Sequence, residues 1–206
     1  MGKHVEYRPE WVREDFIDFL AEKVNPLWAW KKAKARIVAK HHLSDDFVYM
    51  QLQPNHHFKA TDYQAGQSIL VTVLIAGVRW QRSYSIVEIL ENGNLVIAVK
   101  QQGKVSNALT QQPVKSVVEI SQTQGEFVLK TQPHSALMIA SGSGITAIYA
   151  LIKAALKRPQ TVSNIDLIYF TRDDSFHAEL QQLTEHYPQF KYHHVNTRTH
   201  KQHLSQ

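Results

Sequence analysis

Three clusters of residues in this sequence have the types and spacing to do chemistry. The first is Ser141-Gly142-Ser143-Gly144-Ile145-Thr146. Glycines let a backbone approach a phosphate closely. A helix starting here would aim unpaired N–H groups and the positive end of its dipole at the anion. Between a buried strand and a helix, such a turn predicts a nucleotide pyrophosphate site; elsewhere it is only a tight turn. The second cluster is Thr171-Arg172, at the carboxyl end of the next apolar run, where open parallel sheets read a ribose. The Arg fork matches the oxygens of a 2′-phosphate and favours NADPH. Asp173-Asp174 follow at once, and an acidic residue there suits the free ribose hydroxyls of NADH. The third cluster is Arg82-Ser83-Tyr84-Ser85. Arg can hold a phosphate, Tyr can stack on a flat ring, and Ser can hydrogen-bond a ring heteroatom. By composition alone this segment is an ordinary strand with alternating faces.

The elements that must position these clusters are legible in the hydrophobic pattern. Pro9 opens a helical stretch in which Trp11, Val12, Phe16, Phe19, Leu20 and Val24 recur near a 3.6-residue period, and Asn25-Pro26 stops it. Its opposite face is mostly acidic, so packing on the protein body is expected rather than binding to anionic lipid. From residue 33 onward, Ala35–Ala39, Phe47–Leu52, Gln67–Ile75, Val78–Val87, Leu95–Lys100 and Val117–Ser121 read as strands separated by turn signals such as Ala76-Gly77 and Asn92-Gly93. Six short strands at this spacing predict an antiparallel barrel or sandwich. After Pro133 the texture changes. Ala136–Ser141, Ile165–Phe170 and Phe190–Val195 read as buried strands, with helices at Ala147–Lys157 and Phe176–His186 between them. This β-α-β-α-β order predicts a Rossmann-like parallel sheet. The chain therefore divides into a helical extension (1–32), a barrel domain (33–132) and an α/β domain (133–206), with the main boundary near Thr131–His134.

Composition removes several classes of function. The chain has 206 residues, enough for one or two small domains. It has no cysteine, which excludes disulfides, thiolate metal sites, cysteine-ligated iron–sulfur clusters and a cysteine nucleophile. Of its 12 histidines, several fall in adjacent pairs, which point to opposite faces of a strand, so no metal site is predicted. No apolar run has the length of a membrane span, and a cytoplasmic protein is expected. The formal charge of +5 favours anionic partners. A basic barrel that stacks single-stranded nucleic acid on aromatics is the reading from a different class. The scattered basic residues, interleaved with Asp and Glu, count against it.

Taken in order, the clusters resemble the ferredoxin–NADP reductase superfamily. Arg82-Ser83-Tyr84-Ser85 is similar to its Arg-x-Tyr-Ser flavin signature, and Tyr63-Gln64-Ala65-Gly66-Gln67 to the turn entering that region. Gly103-Lys104-Val105-Ser106 resembles its Gly-x-x-Ser segment, and Gly125-Glu126-Phe127 the strand closing the flavin domain. Ser141 to Thr146 resembles the nicotinamide-cofactor turn, with Ala147 where a proline is usual. The resemblance implies a six-stranded antiparallel FAD barrel followed by an NAD(P)-binding α/β domain. It implies that Arg82 and Ser83 belong to the FAD site, with Arg82 on the pyrophosphate, and that Tyr84 packs on the isoalloxazine or ribityl chain. Ser85 then stands near the reactive flavin nitrogen, so Tyr84 and Ser85 carry the catalytic part. Gly103, Lys104, Val105 and Ser106 meet the pyrophosphate at the start of a short helix. Gly142, Ser143, Gly144, Thr146, Thr171 and Arg172 line the NADPH or NADH site.

The implied activity is transfer of electrons from a nicotinamide nucleotide through flavin to an acidic acceptor protein: ferredoxin, flavodoxin, or an iron–sulfur or desaturase-type partner. The helical extension resembles a bacterial subgroup that serves membrane-bound desaturases or oxygenases, which implies peripheral contact with a membrane enzyme. The Cys-Gly-Pro strand and the fused ferredoxin domain of such proteins have no counterpart in this sequence. An incomplete, C-terminally truncated nucleotide domain is therefore expected, with an open sheet edge suited to homodimer pairing. A flavin-binding relay without nicotinamide turnover is the alternative.

Overall fold

The structure is a computed structural model that describes residues 27–28, 32–129, 134–157 and 163–198. The helix expected from Pro9 to Val24 and most of the expected boundary at Thr131–His134 lie outside the described residues. Six strands form a closed antiparallel barrel: β1 (Lys34–His42), β2 (Phe47–Pro54), β3 (Ser68–Ile75), β4 (Val78–Ile89), β5 (Leu95–Lys100) and β6 (Val117–Ile120), in the order β1-β2-β5-β4-β3-β6. All six fall where alternation places them, and the barrel rather than the sandwich is formed. The β3–β4 hairpin turns on Ala76 and Gly77, both at positive φ (50° and 77°), as a two-residue turn matched to strand twist requires. The interior is filled by Ile37, Met50, Leu52, Ile69, Val71, Ile86 and Ile97, all fully buried. Helix α1 (Lys104–Gln111) adds Val105 and Leu109 to this core. Their i, i+4 spacing puts them on one face.

The segment Gly125-Glu126-Phe127, expected as a closing strand, is not one. Gln124 makes an isolated bridge to Ser68, and the chain then runs as an irregular strap. The barrel is already closed by β6, which pairs with both β1 and β3. No strand position is left for the segment.

The second unit is a parallel sheet in the order β7 (Ser135–Ser141), β8 (Asn164–Thr171), β9 (Phe190–Asn196), with α2 (Ile145–Leu156) and α3 (His177–His186) as crossovers. Ile139, Ile168 and His193 lie in register across it. Successive right-handed crossovers that step in one direction put their helices on one face. Accordingly, Met138, Ala140, Leu167 and Tyr169 share a single cluster with α2 and with Leu180 of α3. On β7 the alternate residues Leu137 and Ile139 are 64% and 60% exposed.

That cluster is not the sheet's alone. It also contains Phe47, Tyr49, Val87 and Ala98 of the barrel. Phe176 sits at its centre, fully buried, with edge-on ring contacts at 5.5 Å to Phe47, 5.8 Å to Tyr49 and 5.3 Å to Tyr149. Its backbone is left-handed (φ 65°), unusual for a bulky residue. Polar contacts flank the aromatics. Ser44 and Ser175 hydroxyls are 2.7 Å apart, Lys100 pairs with Asp173 at 3.5 Å, and Glu88 of β4 pairs with Lys153 and Lys157.

Candidate functional site

A single cavity of about 470 Å³ opens between the barrel and the start of α2. Four segments distant in sequence wall it: Arg82 to Ser85 on β4, Gly103 to Ser106 at the start of α1, the last residues of β5, and Ser143, Gly144 and Thr146 at the start of α2. Of the residues expected to hold cofactor, only Gly142, Thr171 and Arg172 stand outside its wall. Trp80, Ala98, Lys100 and Gln102 also line it. Trp80 was open to detection, since it precedes Arg82 by two and so shares its face of the strand. Nothing in the pattern of β5 marks Lys100, because the contact depends on barrel closure.

The α1 end is built to receive an anion. Gly103 is extended, and the first helical bond runs from Asn107 N–H to the Gly103 carbonyl at 2.9 Å. The N–H groups of Lys104, Val105 and Ser106 thus begin the helix ahead of the hydrogen-bond ladder. The Ser106 hydroxyl serves its own loop. It accepts from the N–H groups of Gly103 (3.0 Å) and Gln102 (3.3 Å), and donates to the Gly103 carbonyl (3.0 Å). The loop is held open while those N–H groups keep their direction. The Arg82 guanidinium, exposed beside them, donates to the Gln81 carbonyl at 2.8 Å, and Lys104 adds a second cation.

Two polar atoms in the wall lack partners. Tyr84 Oη and Trp80 Nε1 are buried, and neither makes a hydrogen bond among the described residues. Burial pushes the Tyr84 phenol up to about 12, against the opposing pull of Arg82. It is therefore protonated at neutral pH. A buried donor without an acceptor is costly, so this wall fits a bound group with acceptor atoms. Together with the cationic helix start, the donor set suits a phosphorylated heteroaromatic such as a flavin nucleotide.

The nucleotide turn is ordered by the fold. Gly142 has φ 52°, Gly142–Gly144 form a 3-10 turn, and α2 follows directly from Ile145. The helix thus begins two residues before its expected start. The Thr146 hydroxyl donates back to the Ser143 carbonyl at 3.0 Å. The Tyr169 hydroxyl donates to the Gly142 carbonyl at 3.2 Å, which ties the turn to β8. At the end of β8, Thr171 is buried and Arg172 exposed. Asp173 is occupied within its own loop, accepting from Thr171 (3.2 Å) and from the Ser175 N–H (3.0 Å). Burial alone would raise its carboxyl, but the Ser175 and Thr171 hydrogen bonds and the Lys100 ammonium outweigh it and hold it below the usual range. Lys100 thereby joins the cavity wall to the loop that carries Arg172.

Gly66 fixes the far side of the barrel against α2. Its φ is 95°, and an added Cβ would lie 2.0 Å from the Phe127 carbonyl oxygen and 3.0 Å from Leu151. Only glycine lets the strap pass.

Comparison with known proteins agrees with this architecture. Residues 34–129 match the oxidoreductase FAD-binding domain, and residues 138–205 match the oxidoreductase NAD-binding domain. An NADPH oxidoreductase of Mycobacterium tuberculosis is 30% identical over 179 residues, which cover 81% of this chain and 46% of that protein. NADH-cytochrome b5 reductase 1 of Mortierella alpina is 26% identical over 182 residues, covering 85% and 61%. The chain spans about half the length of the curated relatives it matches. Among solved structures, flavohemoglobin from Malassezia yamatoensis with bound FAD and heme superposes with a TM-score of 0.73 at 22% identity, covering 81% of this chain and 46% of that one. Ferredoxin-NADP+ reductase from Plasmodium falciparum with 2′P-AMP gives 0.67 at 20%, covering 80% and 73%. With its antiparallel barrel and its parallel sheet in this order, the chain carries an oxidoreductase FAD-binding domain followed by an oxidoreductase NAD-binding domain, on a fold like that of ferredoxin-NADP+ reductase.

Proposed function

We propose that this chain is the FAD- and nicotinamide-binding portion of an electron-transfer reductase, with residues 33–132 holding FAD and residues 133–206 receiving NADPH. The carrying observation is the single cavity in which the β4 cluster, the α1 start and the α2 start meet. When bound, FAD supplies the chemistry, accepting a hydride and releasing electrons singly. The chain's residues bind and orient. Arg82, Lys104 and the α1 N–H groups hold the pyrophosphate, and the helix dipole adds to their pull. Tyr84 would donate a hydrogen bond to a flavin acceptor, and Ser85 would orient the ring's reactive edge. Ser143, Gly144 and Thr146 face the nicotinamide nucleotide across the same space.

NADPH is favoured over NADH by the loop after β8. Asp173 is committed to Thr171, Ser175 and Lys100, while Arg172 is exposed where a 2′-phosphate is read. The acceptor is a protein with an acidic docking face, suited to a chain of net charge +5. Ferredoxin, flavodoxin, desaturase-type and heme-protein partners share that description, and the names of the relatives span NADPH and cytochrome b5 chemistry.

The test is the visible spectrum of the protein reconstituted with FAD, repeated after anaerobic addition of NADPH. Flavin absorbance that appears and then bleaches is the expected result. Flavin absorbance that persists indicates a flavin-binding relay without nicotinamide turnover. Failure to retain FAD overturns the reading.

A further inference from the structure

We propose that Trp80 and Lys104 are the specificity-determining end of the cavity, selecting a dinucleotide flavin over a mononucleotide by holding the nucleoside beyond the pyrophosphate. The inference rests on the flavin reading above and extends it to Trp80, which that reading leaves without a role, and to the outer side of Lys104.

Trp80, Arg82 and Tyr84 lie at i, i+2 and i+4 of β4, so their side chains share one face. All three line the same cavity. Successive positions on that face are about 6.8 Å apart. Arg82, the phosphate-binding cation, therefore has an aromatic at equal distance on each side. A dinucleotide has the same order: flat ring, diphosphate, flat ring. A mononucleotide ends at its phosphate and has nothing to set against the second aromatic.

The chemistry of that end agrees with the placement. The Trp80 indole lines the cavity, and its buried Nε1–H has no acceptor among the described residues. Lys104 Nζ lies 4.7 Å from the centroid of the ring. Lys104 is the first residue of α1, so the indole holds this ammonium beside the helix N–H groups rather than in open solvent. A flat π-system for stacking, an N–H seeking an acceptor and a cation at the phosphate together match a purine nucleotide. Purines present a wide π-face, ring-nitrogen acceptors and, in a dinucleotide, an adjoining phosphate.

The experiment titrates the full chain with FAD and separately with FMN, following flavin fluorescence, for the wild type and for Trp80→Ala, Trp80→Phe and Lys104→Gln. The wild type is expected to bind FAD at least about tenfold tighter than FMN. Trp80→Ala should raise the Kd for FAD about tenfold, the loss of one base–aromatic stack, and leave that for FMN within about twofold. Trp80→Phe should restore most of the FAD affinity, and Lys104→Gln should lower the FAD/FMN ratio with the fold intact by circular dichroism. Equal weakening of FAD and FMN in Trp80→Ala, or an unchanged ratio in Lys104→Gln, overturns the proposal and leaves the flavin reading standing. A wild type that binds neither flavin overturns both.

Discussion

Among the described residues, every strand of the barrel has two hydrogen-bonded neighbours, whereas in the parallel sheet only β8 does. The barrel also owns its core, made from β1–β6 and α1. The sheet shares its core with Phe47, Tyr49, Val87 and Ala98 of the barrel, and both its helices lie on the face turned that way. Closed hydrogen bonding makes the wall of the proposed flavin site self-sufficient. The nucleotide turn takes its position from packing against a neighbour. Order in the sheet should thus depend on the barrel more than the reverse.

Phe176→Ala should break that dependence most severely. The ring is fully buried among Phe47, Tyr49 and Tyr149, and such truncations cost about 3–5 kcal/mol. Alanine at φ 65° is no more relaxed than phenylalanine, so the loss reports the cavity. Hydrogen exchange should show amides of β7–β9 losing protection while those of β2 and β5 keep theirs. Uniform loss across both units would erase the asymmetry.

Gly66→Ala attacks the same junction from the other side. It adds a Cβ against a backbone oxygen at a left-handed position, and about 2–3 kcal/mol of destabilisation is expected in denaturant unfolding.

The two halves of the proposed site are separated by two arginines. Arg82→Ala should weaken FAD binding about tenfold to a hundredfold, the worth of a charge-assisted hydrogen bond, as read by flavin retention. Arg172→Ala should leave FAD retention unchanged. It should raise KM for NADPH about tenfold, and that for NADH far less. Equal effects on both nucleotides would remove the 2′-phosphate role.

The smallest effect concerns Glu88. Burial opposes its charge, but Lys153 and Lys157 outweigh burial and hold its carboxyl below the usual value of 4.5. A depressed carboxylate contributes stability above its unfolded value and loses it as pH falls through the folded one. Glu88→Gln should therefore cost about 0.5–1 kcal/mol at pH 7. The gap to wild type should begin to close as pH drops below 4.5 and vanish in stronger acid, as followed by thermal unfolding.

How much of this was readable in advance depends on range. The six barrel strands follow from short runs rich in β-formers between turn signals and the three sheet strands from continuous apolar runs, and their ends shift by a few residues where pairing extends them, as in β1, which runs to His42 rather than Ala39. Helix α1 rests on Val105 and Leu109 alone, too short a period to stand out, and only the Gly-x-x-Ser resemblance pointed to it. The strap at Gly125-Glu126-Phe127 was expected as a strand only because it resembles the family's closing segment. The absence of a free edge beside β3 is a property of the closed barrel and of no local window. Lys100 and Phe176 went unrecognised for the same reason. Each acts on a partner from another element, brought close only by the complete fold.

Strand β4 carries a consequence for how such a chain can change over time. Its first half bears Trp80 through Ser85, and its second half bears Glu88, which grips α2, the helix that follows the turn at Ser143 and Gly144. Between them lies a register shift at Ile86/Glu88, a one-residue offset built into the ruler. The two proposed binding regions are thus measured from a single datum. Residues gained or lost at the Asn92-Gly93 turn leave that datum alone. A residue gained or lost between Ser85 and Glu88 displaces one end against the other. In the descent of this chain, length should drift freely at the first place and stay frozen at the second.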